Sequence, residues 1–285
     1  DYSVENGYLG AGNERYVSLE FTTEPEQCTR SMITWSSSDE SIATVCDGVV
    51  EWNKDGKFGN VSITATCPNG QSSSINMLLE EGLMRELFHN PNWYSWRNAA
   101  QSGNGTSSSH VWHDGYVAVT TYKQNDTNQR GDFRFWGCPT GTSQYTPAYI
   151  HAGYYPLVAI RWQDVMDLYE EVTFRAINLD TSGSCAGSAY AGNVGGGNNK
   201  WAYEYRLSDG SRVMVYDLST QSFGQGMLPT TALATFNTFQ FKYADMRTLT
   251  EQITYNVYWV QTFKTRTDIE KFISDIDGLS FETIK

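Results

Sequence analysis

The chain has 285 residues, enough for one large domain or two ordinary ones, and 40% of them are hydrophobic, enough for a sizeable core. Only 18% are charged and the net charge is −12, so the clustered Lys and Arg that nucleic acid or anionic lipid would need are lacking. Aromatic residues reach 14%, with nine Trp and eighteen Tyr, which is typical of an extracellular β protein. No apolar run approaches the length of a transmembrane helix. A chain that opens at Asp1 without Met is expected to be a trimmed form.

Five cysteines are spread along the chain: Cys28, Cys46, Cys67, Cys138 and Cys185. None lies in a CxxC pair or is spaced from a histidine as zinc ligands are, so a zinc site is not expected. Two interpretations stay open for them. They are either small buried hydrophobic residues or include one disulfide, whose connectivity the sequence does not assign.

Residues 16–79 are predicted to form about six short strands. Val17, Leu19 and Phe21 alternate, and later apolar runs are separated by Asp-Gly and Asn-Gly dipeptides that favour tight turns. Within this segment lie ITWSSSDESIATV (Ile33–Val45), DGVV (Asp47–Val50) and GNVSITATCPNGQ (Gly59–Gln71). These motifs resemble the bacterial immunoglobulin-like domain of the invasin/intimin type. The resemblance implies a spacer domain over residues 1–80 that holds another domain away from a cell surface.

Residues 81–285 are predicted to form a second, larger all-β domain. The linker LLEEGLMREL (Leu78–Leu87) precedes it, and strand patterns follow, including Ile253–Phe263 and a hairpin around Ser208-Asp209-Gly210-Ser211. One helix is predicted from Thr267 to about Asp277, with Thr267 and Glu270 as a capping box. Many strands, one late helix and long loops predict a jelly-roll-like β-sandwich.

Three segments carry a second resemblance: YYPLVAIRW, FQFKYADM and YNVYWVQTFKTRTDIEKFISDIDGLSFE. They resemble the C-terminal domain of Bacteroidetes surface lipoproteins in polysaccharide-utilisation systems, and the closing DIDGLSFE is similar to the last strand of many carbohydrate-binding modules. The resemblance implies glycan capture before import, without catalysis. It also implies an outer-membrane lipoprotein on the extracellular face, anchored by a lipid outside this sequence, with glycan-importer components as partners.

The stretch from Gly131 to Trp162 suggests how a sugar would be held. Arg134 and Trp136 share one side of a predicted strand, and Arg161 lies on the side of another strand opposite Trp162. Flat aromatic rings stack on sugar faces, and guanidinium groups donate to hydroxyls. The candidate glycan-binding residues are Trp93, Trp96, Trp112, Arg134, Trp136, Tyr154, Arg161 and Trp201.

Each candidate has an alternative interpretation. Any of the aromatic rings, and Trp162 and Tyr155 beside them, would equally serve as core, which is the favoured interpretation for Trp162. Arg134 and Arg161 would equally form salt bridges to Asp132 or Glu204. A structural calcium held by Asn178, Asp180 and Asp277 is the alternative to an absence of any cofactor, although the D-x-D-x-D-G pattern is missing.

Catalytic signatures are weak in comparison. The acidic residues Asp114, Asp132, Asp164, Glu170, Glu171 and Glu204 show no glycosidase spacing, and no histidine lies near a G-x-S-x-G elbow. A lyase site built from His151, Tyr154, Arg134 and Arg161 is harder to dismiss. The sequence therefore predicts a non-catalytic surface polysaccharide-binding protein; the alternatives are an adhesin-type module that binds a protein partner, or a polysaccharide lyase or hydrolase.

Overall fold

The computed structural model describes residues 16–23, 29–52, 57–88, 106–123, 131–136, 148–163, 175–180, 201–220, 222–223, 226–232, 234–236, 238–243 and 253–285, some strand residues by backbone position only. The fold is all-β with a single short α-helix, which confirms the predicted fold class. No helix among these residues is both long and apolar enough to cross a membrane.

Six strands at the N-terminal end form two three-stranded antiparallel sheets. They are β1 (Tyr16–Ser18), β2 (Thr34–Ser37), β3 (Ala43–Cys46), β4 (Val49–Trp52), β5 (Gly59–Thr66) and β6 (Ser72–Leu79). The sheet orders are β1-β4-β3 and β2-β5-β6. Between them lies an apolar cluster that includes Val50, Val61, Ile63 and Met77, as strand alternation requires. Trp35 packs at the edge of this cluster, against Phe21.

The rest of the described chain is organised by one large antiparallel sheet. Its strands are β7 (Arg85–Glu86), β8 (Thr106–His113), β9 (Tyr116–Lys123), β12 (Leu157–Trp162), β14 (Tyr203–Leu207), β15 (Arg212–Asp217), β20 (Ile253–Phe263) and β21 (Phe281–Thr283). The order is β21-β14-β15-β12-β20-β9-β8, and β7 pairs with β20 beside β9. The predicted Ile253–Phe263 strand and the hairpin around Asp209-Gly210 are both confirmed.

Smaller sheets complete the fold. A three-stranded sheet has the order β10-β19-β13, formed by β10 (Gly131–Trp136), β13 (Arg175–Asp180) and β19 (Thr238–Tyr243). Two-stranded pairs join β11 (Ala148–Ile150) to β18 (Ala234–Phe236), and β16 (Ser222–Phe223) to β17 (Gly226–Met227).

The inner face of the large sheet is the apolar core of the sandwich. Trp162 is fully buried there and meets Phe241 of β19 edge to face, with ring centroids 5.2 Å apart. It meets Tyr255 in the same way at 5.8 Å. Trp162 is therefore a core residue, because both sheets bury apolar side chains between them.

The outer face of the large sheet is half covered by the helix α1 (Arg266–Asp275). Ile269, Phe272 and Ile273 of α1 pack with Leu157, Ala159, Tyr205, Val213, Val215, Trp259 and Phe263. The N-cap lies two residues before the predicted one: it is Thr265, and Asp268 completes the capping box. Glu270 instead forms an ion pair with Arg266 at 2.8 Å, so the expected Thr267–Glu270 capping box is wrong.

The predicted linker becomes part of the large sheet. Gly82 has a φ of +81°, and a Cβ there would lie 2.5 Å from the backbone nitrogen of His151, so glycine is required. Beyond it, the Met84 backbone N–H donates to Thr262 Oγ1 at 2.7 Å, and β7 pairs with β20. Cys46 is an exposed free thiol. Cys28, Cys138 and Cys185 lie outside the described residues.

Candidate functional site

The half of the outer face that α1 leaves uncovered carries small polar side chains. Thr120 of β9 and Thr254 of β20 share a hydrogen bond between their hydroxyls at 2.8 Å; Thr254 is exposed and Thr120 is half-buried. Ala118 and Asn256 lie opposite each other in the same pairing and are half-buried. Val111 of β8, which pairs with Ala118, is 52% exposed. This surface offers hydroxyl and amide groups to water instead of an apolar core.

A row of aromatic residues, which we name the aromatic ridge, borders this polar surface and consists of His113, Tyr116 and Tyr258. His113 and Tyr116 pair across the Asp114-Gly115 turn of the β8–β9 hairpin, where Gly115 has a φ of +83°. Their rings stack with centroids 4.4 Å apart and an interplanar angle of 12°. The ring of Tyr116 lies 6.2 Å from that of Tyr258, tilted by 47°. Both tyrosines are half-buried, so part of each ring faces solvent.

Tyr258 lies at a β-bulge in the pairing of β20 with β12. Arg161 pairs with Trp259 while the next residue, Trp162, pairs with Val257, which leaves Tyr258 as the extra residue on β20. A bulge of this kind redirects a side chain and breaks the strict alternation of a strand. Here it places Tyr258 beside Arg161, whose Cζ atom lies 4.4 Å from the centre of the tyrosine ring.

Arg161 is fixed by three polar partners in addition to the ring. Its Nη2 atom binds Asp209 Oδ2 at 2.6 Å, and its Nη1 atom binds Asp277 Oδ1 at 2.9 Å. Its Nε–H donates to Ser211 Oγ at 3.0 Å. The other oxygen of Asp277 accepts from Trp259 Nε1 at 3.0 Å. A guanidinium held on every side supports the aromatic ridge and keeps Tyr258 in one orientation.

The two carboxylates beside Arg161 have pKa values displaced in opposite directions. Burial raises the pKa of Asp277 above its ordinary value, although Arg161 and Trp259 oppose the effect. Burial also acts to raise the pKa of Asp209, but hydrogen bonds from Ser211 and Arg161 outweigh it and leave that pKa lowered. Both groups are nevertheless paired with the same guanidinium, which neutralises half of their joint charge.

Of the predicted site residues whose side chains the structure describes, Arg161 is the one that lies at the aromatic ridge. It forms salt bridges, as the alternative interpretation held, but to Asp209 and Asp277 instead of Asp132 or Glu204. Glu204 binds Arg212 at 2.7 Å.

Tyr154 is exposed, as a binding residue must be, but lies elsewhere. Its side chain is 57% exposed, and its ring stacks on His151 with centroids 3.9 Å apart. It precedes β12, at the end of that strand opposite Arg161. Tyr155, beside it, is buried and donates a hydrogen bond to Glu80, so Tyr155 is not an exposed stacking residue.

Trp201 is a correction to the sequence analysis, which expects an exposed ring next to a polar loop. The residue is only 9% exposed. Its Nε1–H donates to buried Glu204 at 2.9 Å, and Lys285 lies 5.3 Å from its ring centre. The indole is packed because the C-terminal residues fold back over it, so it offers no open face to a sugar.

The remaining predicted residues are described less completely. Trp112 lies in β8 opposite Val117, and Arg134 and Trp136 lie in β10 opposite Gln240 and Thr238. The structure describes these three by strand position only. Trp93 and Trp96 lie outside the described residues. Their part in binding stays a prediction.

Sequence reasoning missed Tyr116, Tyr258 and the two aspartates that hold Arg161. Tyr116 follows an Asp-Gly turn, which is a readable signal for a residue at a hairpin end. Alternation along β20 puts Tyr258 on the face of Thr254 and Asn256, but neither its meeting with Tyr116 nor the bulge beside Arg161 can be read from the sequence. For Asp277 the sequence suggests only a role as a calcium ligand with Asn178 and Asp180, which lie in β13 and are described by backbone position alone. Within the described ranges no group of three or more His, Cys, Asp and Glu side chains is arranged to hold a metal.

A cavity of about 270 Å³ lies away from the aromatic ridge, between α1, β20 and the linker. Leu78, Phe263 and Phe272 line it, together with polar groups that bind one another. Lys264 Nζ binds Glu80 Oε1 at 2.5 Å, and Arg85 Nε donates to Gln261 Oε1 at 2.8 Å. These contacts attach the linker to the large sheet.

Comparisons with solved structures show only remote likeness. A structure of CBM51-2 in complex with GlcNAc and INT domains from Clostridium perfringens ZmpB aligns with a TM-score of 0.23 and 9% identity, over 88% of this chain and 45% of that one. The corresponding CBM51-2 and INT structure has a TM-score of 0.24 at the same identity and coverage. The M60 catalytic domain with CBM51-1 and CBM51-2 has a TM-score of 0.22 and 8% identity, over 81% of this chain and 19% of that one. This chain thus spans less than half the length of these structures, and scores of this size do not establish a shared fold.

Sequence comparison gives a definite family. No curated protein matches the chain. A family model described as a domain of unknown function, DUF4979, matches residues 82–269, about two thirds of the chain, and starts at the glycine that leads into the large sheet. The chain therefore belongs to the DUF4979 family.

Proposed function

We propose that this protein is a non-catalytic polysaccharide-binding protein and that the aromatic ridge with its neighbouring polar surface holds the glycan. The observation that carries the proposal is the Tyr116–Tyr258 pair, 6.2 Å apart and partly exposed, beside solvent-facing Thr120 and Thr254. Tyrosine rings present an apolar body to a sugar face and a hydroxyl at the tip. The threonine hydroxyls and the amide of Asn256 are able to donate to sugar hydroxyls and accept from them.

Rigidity is the second argument for a binding surface. His113 backs Tyr116 with stacked rings, and Arg161 backs Tyr258 from 4.4 Å. Rings that are fixed before the ligand arrives lose little conformational entropy on binding. We expect dissociation constants from about 1 μM to 1 mM, because sugars are well hydrated and few of their contacts are fully desolvated.

Glycoside hydrolysis is the competing function, and one observation favours it. Asp209 and Asp277 flank Arg161, and their pKa values are displaced in opposite directions, as those of acid and base pairs are. The contacts favour binding instead. Asp277 has both oxygens occupied, by Arg161 and Trp259, and its side chain is only 9% exposed, so it is poorly placed to protonate a glycosidic oxygen.

We further propose that residues 1–80 form a bacterial immunoglobulin-like spacer and that the protein is an outer-membrane lipoprotein of a polysaccharide-utilisation system, on the extracellular face. Two packed three-stranded antiparallel sheets in residues 16–79 are compatible with such a spacer. Importer components would be partners, and a structural calcium stays an alternative to an absence of cofactors. Protease treatment of intact native cells tests the location: degradation of this protein while periplasmic markers survive is expected.

Affinity gel electrophoresis of the full chain in soluble polysaccharides tests binding. We expect at least one polysaccharide to retard the protein. Tyr116→Ala and Tyr258→Ala should each lower the affinity about fivefold, since a stacked ring contributes on the order of 1 kcal/mol. Tyr154→Ala is the matched control, because Tyr154 is an exposed tyrosine at the other end of β12.

The outcomes separate the candidate functions. If only Tyr154→Ala reduced the retardation, the binding site would lie near Tyr154 and not at the aromatic ridge. Retardation by no polysaccharide, together with specific capture of a protein, would favour the adhesin-type alternative. Release of reducing sugar from a retarding polysaccharide, abolished by Asp277→Asn, would establish a hydrolase.

A further inference from the structure

We propose that the aromatic ridge selects uncharged polysaccharides over acidic or sulfated ones, an inference that rests on the function proposed above. The charged side chains described at the ridge are one guanidinium, that of Arg161, and three carboxylates, those of Asp114, Asp209 and Asp277. Asp114 occupies the turn between His113 and Tyr116, and Asp209 lies at the edge of the surface beside Arg161. The described side chains at the aromatic ridge therefore carry a net negative charge.

Recognition of a uronate or a sulfate requires a cationic fork that is available to the ligand. The guanidinium of Arg161 already binds groups of the protein itself: Asp209 at 2.6 Å, Asp277 at 2.9 Å and Ser211 at 3.0 Å. The guanidinium also lies over the ring of Tyr258. Arg161 is thus a positioning residue for the ring and does not present its charge to an incoming anion.

The polar surface next to the aromatic ridge has the complementary property. Thr120, Thr254 and Asn256 carry groups that both donate and accept hydrogen bonds without charge. Such groups match the hydroxyls of a neutral pyranose. An acidic sugar in the same place would bring its anion next to Asp209 and Asp114, and the net charge of −12 on the whole chain adds repulsion at low ionic strength.

Matched pairs of polysaccharides test the selectivity. Hydroxyethylcellulose and carboxymethylcellulose share a glucan backbone and differ in charge, as do dextran and dextran sulfate; neutral galactomannan and xyloglucan, and anionic alginate and polygalacturonate, extend the panel. Affinity gels are run with the full chain at low and at physiological salt. We expect the neutral member of a binding pair to retard the protein with at least about tenfold higher affinity than its anionic match at low salt.

A substitution of one carboxylate beside Arg161 tests whether its negative charge contributes to the selectivity. Asp209→Asn keeps the oxygen that accepts from the Ser211 backbone and hydroxyl but removes one charge from the guanidinium clamp. We expect the ratio of anionic to neutral affinity to rise at least about threefold in this variant. Glu282→Gln removes the same charge at the far edge of the sheet, on β21, and should leave that ratio unchanged.

Failure of this inference and failure of the proposed function give different results. If an anionic polysaccharide retards the protein as strongly as its neutral match, and Tyr258→Ala abolishes that retardation, the inferred selectivity is wrong while glycan binding stands. An unchanged ratio in Asp209→Asn would also contradict it. If no polysaccharide in the panel retards the protein, or if neither tyrosine variant affects retardation, the proposed function falls and the inference falls with it.

Discussion

Arg161 lies over the ring of Tyr258, with its Cζ atom 4.4 Å from the ring centre, while Asp209 and Asp277 hold the guanidinium from two sides. The contact joins two neighbouring strands, β12 and β20, at the bulge. The side chain that a sequence analysis would assign to sugar contact is therefore engaged in fixing an aromatic ring.

Replacing Arg161 should destabilise the protein and weaken glycan binding together. Arg161→Met leaves the buried Asp277 carboxylate without its cation, and we expect the free energy of unfolding to fall by about 2–4 kcal/mol. Urea unfolding measures the change. The double variant Arg161→Met/Asp277→Asn should regain most of the stability but not the affinity, because Tyr258 still lacks its support. A single variant as stable as wild type would contradict this account.

The stability loss in Arg161→Met should depend on pH in a definite direction. Burial already raises the pKa of Asp277, so this carboxyl binds a proton more readily in the folded state than in the unfolded state. A group whose pKa is raised on folding stabilises the protein at acid pH and loses that contribution as pH rises through its folded pKa. We expect the difference from wild type to be smaller at pH 4 than at pH 7. The opposite trend would show that Asp277 is not the group responsible.

A second buried ion pair makes a separate prediction about stability. Glu204 binds Arg212 at 2.7 Å and accepts from Trp201 at 2.9 Å, and both charged side chains are less than 10% exposed. Glu204→Ala leaves the Arg212 charge buried without this partner, and we expect a loss of about 3–5 kcal/mol in urea unfolding. Removal of Glu282 from its surface pair with Arg206 should cost about 0–1 kcal/mol. Equal losses of unfolding free energy at Glu204 and Glu282 would contradict the conclusion that the buried pair matters more than the surface pair.

Alanine substitutions at two glycines with nearly the same backbone conformation distinguish the cost of backbone strain from the cost of a steric clash. Gly82 and Gly210 have φ values of +81° and +84°, but only at Gly82 would a Cβ meet neighbours, 2.5 Å from His151. Gly210→Ala should cost about 1–2 kcal/mol from backbone conformation alone. Gly82→Ala should cost clearly more, because the clash includes backbone atoms. Comparable unfolding midpoints for the two variants would mean that the linker moves freely away from His151.

The N-terminal sheets should lose stability in acid through Asp39. Hydrogen bonds from the Ser41 and Lys57 side chains lower the pKa of Asp39 to about 2. A carboxyl whose pKa is lowered on folding stabilises the folded state above its unfolded pKa, and this contribution is lost as pH falls towards 2. Asp39→Asn should flatten the dependence of the unfolding midpoint on pH between 4 and 2. Glu282→Gln, with the same change in charge, is the control and should keep the wild-type slope.

Much of the fold is predictable because its signals are local. Alternation gives the strand Ile253–Phe263, and Asp-Gly dipeptides mark the hairpins at Asp114 and Asp209. The helix cap was misplaced because Thr265–Asp268 and Thr267–Glu270 both fit the capping-box spacing. Because the connection after β20 is short, the Thr265–Asp268 pair forms the capping box.

The candidate site was less predictable because it depends on contacts between distant parts of the chain. Tyr116 and Tyr258 meet because β9 pairs with β20, and the bulge beside Arg161 leaves no mark in the sequence. Trp201 looks accessible beside a glycine-rich segment, yet Glu204 and Lys285 hold it inside. Residue type suggested sugar chemistry, whereas strand pairing decides which rings are accessible.

The insertion of β7 beside β20 also has a mechanical consequence. Arg85 and Glu86 of β7 pair with the same edge of β20 as β9 does. Their partners, Gln261 and Val260, lie on the strand that carries Tyr258. A pull on the N-terminal sheets is thus transmitted through the linker to the strand beneath the aromatic ridge. Tension from a captured polymer and tension from the N-terminal side would meet on that one strand, and the ladder of backbone hydrogen bonds on both its edges would bear the load.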